Sequence, residues 1–287
     1  MNYTVPISSM VCMAISALMG VVIPVSLFLV IRKKYNADLS PFFTGCAVFI
    51  LFALVIEGAI NSYILSSAAG AVLKSNIWLY GAFGGFMAGL FEETGRFAAF
   101  KTVLKKKRGN DGNALMYGAG HGGVEAFYIL VFSMVSNIVL AVTLNAGGYD
   151  KLIAGAATPA AQQALAATSA ALSATPPGTF LMSTVERAAA VAFHISASVL
   201  VWFAAKDGKR FFLYPLAVLL HMLLDMIAVI LSRYVPNLWA VLGAIYLFTA
   251  LCVLLARFVW KKCASAEQGL AAETQSGEPE GTQGETI

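Results

Sequence analysis

Ile77-Trp78-Leu79-Tyr80-Gly81-Ala82-Phe83-Gly84-Gly85-Phe86-Met87-Ala88-Gly89-Leu90-Phe91-Glu92-Glu93-Thr94-Gly95-Arg96-Phe97-Ala98-Ala99-Phe100 is the stretch that decides the fold. As a helix rising 1.5 Å per residue it is about 36 Å long, enough to cross the ~30 Å hydrocarbon core of a bilayer. Its first half is apolar, with Gly81, Gly85 and Gly89 every fourth residue, a small-residue stripe that lets membrane helices approach closely. Its second half carries Glu92, Glu93 and Arg96. Ionisable groups near the centre of a spanning helix cost at least ~2.5–3.5 kcal/mol each, so they are rare and usually functional. Glu92 and Arg96 are four residues apart and Glu93 and Arg96 three, so one helical face offers an internal ion pair.

The rest of the 287-residue chain has the same character: 59% of residues are hydrophobic and only 12% charged, with a mean hydropathy of +0.77. Soluble domains carry about 25% charged residues, so a soluble enzyme, a secreted disulfide scaffold and a nucleic-acid reader are excluded. Apolar runs predict an all-α, polytopic membrane protein with seven transmembrane helices at about 9–31, 41–66, 77–100, 113–141, 180–203, 211–232 and 237–260. Fourteen of the 19 Lys and Arg follow alternate spans, in clusters around Arg32–Lys34, Lys101–Arg108, Lys206–Arg210 and Arg257–Lys262. The positive-inside rule then sets the N-terminus outside and the C-terminus cytoplasmic, which an odd number of spans requires.

Residues 1–262 are read as one transmembrane domain, with 144–179 an Ala/Gly/Ser/Thr-rich outer loop holding at most a short surface helix. Residues 263–287, acidic and Gly-rich, are expected to form a disordered cytoplasmic tail. Cys12, Cys46 and Cys252 lie in apolar runs and Cys263 follows Lys261-Lys262; no CxxC pair marks a redox or zinc-knuckle motif. The N-terminus has no basic segment and no A-x-A-like cleavage site, so no cleaved signal is expected.

Glu57, Glu92, Glu93, Arg96, His121, Glu125, Glu186, Arg187, His194, His221 and Asp225 all fall within spans, and they include every histidine of the chain. Counted from the basic ends of their helices, Glu92 lies ~13 Å in, His121 ~12 Å, His194 ~18 Å and His221 ~15 Å. Four helices therefore present polar groups in one slab. His121 and Glu125, and His221 and Asp225, are i,i+4 pairs, and Arg187 and His194 share a face at i,i+7. Glu57 and Glu186 are read as structural. Gly120-His121-Gly122-Gly123 is read as a soft spot in its helix, where a substrate backbone comes close.

This set has the chemistry to activate water. A glutamate serves as general base, while imidazolium or another fixed donor steadies an oxyanion. The same atoms suit zinc, with His121, His194 and His221 as candidate ligands beside the carboxylates. HExxH is absent.

Glu92-Glu93-Thr94-Gly95-Arg96, Gly118-Ala119-Gly120-His121-Gly122-Gly123-Val124-Glu125, Glu186-Arg187 leading to His194, and His221-Met222-Leu223-Leu224-Asp225 together resemble the YhfC-type membrane proteases. These are related to the CAAX-processing, bacteriocin-processing and PrsW-type endopeptidases. The resemblance implies peptide-bond hydrolysis within a bacterial cytoplasmic membrane, on a membrane protein or lipid-embedded peptide. It implies Glu92 as the water-activating base, Glu93 and Arg96 as groups that order it, and His221 with its i+4 partner at the oxyanion. The partner here is Asp225, where the CAAX enzymes typically carry Asn; an ionised Asp cannot donate to an oxyanion, so it orients His221 or supports a metal. GHGGxE also departs from the CAAX FxxxH pattern. Glutamic-type and metal-assisted hydrolysis both remain open, as do a non-catalytic membrane scaffold and a proton-coupled transporter, though no paired halves of the transporter kind occur. Oligomeric state is not legible.

Overall fold

The computed structural model describes residues 3–276, with side chains to 264. Among the described residues it is all-helical. The long helices are α1 (Ile7–Tyr35), α2 (Ser40–Leu65), α4 (Ile77–Lys101), α5 (Gly112–Asn145), α8 (Pro177–Lys206), α9 (Leu213–Tyr234) and α10 (Leu238–Ser276). Short helices α3 (Ala68–Ser75), α6 (Tyr149–Gly155) and α7 (Pro159–Ala174) fill the connections at one end. The expected outer loop is therefore largely helical. α7 starts at Pro159, with the Thr158 side chain accepting from the Ala161 amide, and it packs through Leu172 beside Leu144 and Phe180. α10 runs on past the basic cluster to Ser276; residues 277–287 of the acidic tail lie outside the described residues.

Six of the long helices are long and apolar enough to cross a membrane. α4, 25 residues long, is not among them, as it carries Glu92, Glu93 and Arg96 together with five glycines. α8 is the axis of the bundle: 78% of its apolar window is buried, against 11–28% in the other five spans, whose outer faces are apolar. Such surface is compatible with lipid and not with water. Around α8 pack α1, α4, α5, α9 and α10, while α2 lies on α5.

Glycine sets two close helix crossings. A Cβ on Gly85 would lie 2.4 Å from the Met222 carbonyl oxygen, and one on Gly89 2.6 Å from that of Val218, so the stripe expected from spacing seats α4 directly on α9. A Cβ on Gly120 would lie 2.0 Å from the Phe42 carbonyl oxygen, and one on Gly45 2.3 Å from that of Tyr117. The expected soft spot at Gly120–Gly123 is thus corrected. The helix is unbroken there, and Gly118, Gly120 and Gly123 face α8, α2 and α1.

Helical hydrogen bonding widens to the π form at Phe49–Glu57 in α2 and Tyr128–Phe132 in α5. At the basic end, α1 stops at Asn36, which takes the left-handed conformation. Asp38 then accepts from Asn113 Nδ2 at 3.0 Å and pairs with Lys107 at 3.0 Å. These contacts hold the Asp38 carboxyl below its ordinary pKa, the Asn113 hydrogen bond contributing most. Asp111 accepts from Trp202 Nε1 and Lys206 Nζ, both at 2.8 Å, tying α5 to α8.

Candidate metal and acid–imidazole centre

Because adjacent helix residues are turned by about 100°, Glu92 and Glu93 face different neighbours. Glu92 Oε2 lies 2.8 Å from His121 Nε2 on α5. Glu93 takes α9 instead: His221 Nδ1 is 2.9 Å from its Oε1, and Arg96 donates to its Oε2. The ion pair expected on this helix is therefore Glu93–Arg96, with both side chains fully buried. His121, His194 and His221 are buried as well.

Tautomers follow from these partners. Glu93 fixes Nδ1–H on His221, leaving the Nε2 lone pair for the interior, as ligating histidines are usually held by a carboxylate. Asp225 Oδ2 stands 3.7 Å from that Nε2, beyond hydrogen-bond distance. Of the two roles expected for Asp225, orienting His221 falls instead to Glu93, which faces His221 from the helix packed against α9, and supporting a metal is left. Arg96 Nη2 is 3.1 Å from His194 Nδ1, and a guanidinium only donates, so here Nδ1 accepts. His194 Nε2 lies 2.6 Å from Glu125 Oε2, off the line of a good hydrogen bond, and that oxygen has no aligned donor. His121 Nδ1 and Arg96 Nε are likewise buried without partners.

Beside the histidines lies a cavity of about 70 Å³, walled by Glu92, Glu125, His194, His221 and Asp225, with Glu186 and Arg187 on its outer side. It has room for at least one water and the polar partners that a water needs. Arg187 pairs with both Glu125 and Glu186. Glu186 was expected to be structural, but the helix turns it onto the cavity. Arg187 lines the cavity but was not among the candidate site residues, although its i,i+7 relation to His194 already put it on that face. Glu57 stays apart from the cavity and accepts from Asn61 Nδ2 at 3.0 Å.

Ligand atoms of Glu92, His194 and His221 all lie within 4.8 Å of one another, and this trio excludes His121, which is engaged with Glu92. One carboxylate and two imidazoles form a zinc donor set. Tetrahedral zinc wants its ligand atoms about 3.3 Å apart, given bonds of 2.0–2.1 Å, so the trio fits with modest contraction. His194 ligates through Nε2 only in the tautomer with Nδ1–H, which requires Arg96 to release it. Charge also favours a cation: the buried Glu92 and Glu93, the largely buried Glu125 and the partly exposed Glu186 and Asp225 face two guanidiniums, Arg96 and Arg187, and buried charge must be compensated.

Buried acids and imidazoles gathered from four helices of a lipid-compatible bundle define a multi-pass membrane protein with a potential metal centre in its interior. Residues 19–247 match the YhfC intramembrane metalloprotease family, and the chain belongs to that family. It is 33% identical over 227 residues to the "Uncharacterized membrane protein YhfC" of Bacillus subtilis (strain 168), an alignment covering 78% of this chain and 86% of that protein. No solved structure matches the chain.

Proposed function

We propose that this protein is an intramembrane endopeptidase that hydrolyses a peptide bond in a membrane protein or lipid-embedded peptide, with a zinc ion held by Glu92, His194 and His221. The observation that carries this reading is the meeting of those three buried groups within 4.8 Å on the wall of a 70 Å³ cavity. In the same reading α4 is a seventh span, the N-terminus is outside and the C-terminus cytoplasmic, as the clustered Lys and Arg favour.

Zinc, when bound, supplies Lewis acidity toward water and the scissile carbonyl. Glu125, which lines the cavity, is then the general base: Arg187 holds its Oε1, and its Oε2, which has no aligned donor, takes a proton from water and passes it to the leaving amine. Glu93 keeps the His221 lone pair turned inward, and Arg96 balances Glu93. A second reading follows from the 2.8 Å His121–Glu92 contact: Glu92, steadied by His121, is itself the base in a glutamic-type hydrolysis.

The test measures zinc content and turnover of a fluorogenic membrane peptide, with and without chelator. The metal reading expects stoichiometric zinc that is lost in Glu92→Gln, His194→Ala and His221→Ala. Glu125→Gln keeps the metal and loses turnover. Full turnover in chelator, abolished by Glu92→Gln, selects the second reading. A folded parent without peptide turnover overturns both and leaves the scaffold or transporter.

A further inference from the structure

Two openings lie in line on the flank of the bundle along α1 and α8, meeting at Ile195. The deeper opening, about 360 Å³, runs from Met19 to Leu27 on α1 and is almost wholly apolar. The second, about 560 Å³, opens at the basic end between α1, α8 and α10. Ile195 lines both. On α8 the lining residues Ala188, Ala192, Ile195 and Val199 follow one another at three- and four-residue steps, so they form a single unbroken stripe. From Met19 to Lys34 the two openings together span about 22 Å of α1, which exceeds the ~15 Å hydrocarbon depth of one leaflet.

The opening at the basic end is chemically distinct from the apolar one. Lys34, Arg257 and Lys261 stand there exposed, with no described carboxylate in ion-pair reach of any of them. Tyr35 and Trp260 meet edge to face across the opening, their centroids 6.3 Å apart, as aromatic residues do at a membrane interface. Three cations around an aromatic-rimmed mouth, in line with an apolar opening beyond Ile195, match a phosphate joined to an acyl chain. We propose that the two openings together bind one anionic phospholipid of the adjoining leaflet, its phosphate among Lys34, Arg257 and Lys261 and one chain along the α1–α8 seam. A zwitterionic lipid brings its own cation to the same mouth, and a lipidated peptide has no need of three positive charges.

The full-length protein in detergent is titrated with phosphatidylglycerol or phosphatidylcholine, and retained lipid is counted by native mass spectrometry. One phosphatidylglycerol should be retained in preference to phosphatidylcholine. Each Lys or Arg near an anionic surface is worth about fivefold in affinity, so combined Lys34→Ala, Arg257→Ala and Lys261→Ala should weaken retention by about 100-fold. In parent protein, phosphatidylglycerol with brominated chains should quench fluorescence that Trp260→Phe removes, and Ala192→Phe, which fills the apolar arm, should reduce that quenching. Equal retention of phosphatidylcholine, unchanged affinity in the triple variant, or displacement by inorganic phosphate or by a farnesylated peptide at the lipid's own concentration overturns the proposal.

Discussion

Gly120→Ala tests whether the α2–α5 crossing, and not local softness, explains the glycine beside His121. The added Cβ would sit 2.0 Å from the Phe42 carbonyl oxygen, where real Cβ contacts stay above 3.0 Å. One helix must therefore retreat by at least about 1 Å, and the obstacle is backbone, which has no rotamer to yield. Overpacking of this kind costs about 1–3 kcal/mol; the backbone contact puts Gly120→Ala at the upper end, partly offset by the roughly 1 kcal/mol helix-propensity gain of Ala over Gly. A net loss of about 2 kcal/mol is expected. Gly84→Ala is the matched control, since nothing lies within 4 Å of its added Cβ, and it should be neutral or stabilising by up to ~1 kcal/mol. Reversible unfolding in mixed micelles, followed by circular dichroism, measures both. Equal stability of Gly120→Ala and Gly84→Ala would refute the crossing argument.

Glu93→Gln should destabilise the bundle by about 3–5 kcal/mol, because it leaves the fully buried Arg96 without its counter-charge; the same unfolding assay should show recovery in the double variant Glu93→Leu/Arg96→Met. If the metal reading holds, chelation should lower stability by about 2.7 kcal/mol for a metal present at a hundred times its Kd, and His221→Ala should show no such drop. At the α1–α2 corner, the carboxyl of Asp38 is held below its ordinary value by Asn113 and Lys107. Its contribution is therefore full above about pH 3.9 and is lost as pH falls through the lowered value. Asp38→Asn should flatten the acid limb of a stability–pH profile, and an unchanged limb would remove this contact from the account.

The long helices were legible because lipid demands runs of apolar residues, and the site because ionisable groups in such runs stand out. Spacing put Arg187 and His194 on one face and read Gly81 and Gly85 as packing, but it left Glu92 and Glu93 both open as the partner of Arg96, which is Glu93. Partner choice across helices was hidden. Nothing in HxxxD tells that His221 is oriented by Glu93 from α4 and not by its own i+4 Asp225, since that depends on how α4 and α9 are rotated against each other. That Glu186, read as structural, lines the cavity was hidden for the same reason, and the GHGG run was misread because local flexibility and close packing use the same residue. The π segments left no signal, as Phe49–Glu57 is an ordinary apolar run in composition.

α4 is keyed to two shafts at once, to α5 by Glu92 and to α9 by Glu93 and the glycines below it. Inserting one residue between Gly89 and Glu92 would turn the helix beyond it by about 100°, seating Glu92 opposite His221 and an apolar side chain opposite His121. Deleting one would leave Thr94 to meet His221. Length changes in this segment are thus tolerable only ahead of Gly81, and the eleven-residue interval from Gly81 to Glu92 acts as a fixed ruler for the chain.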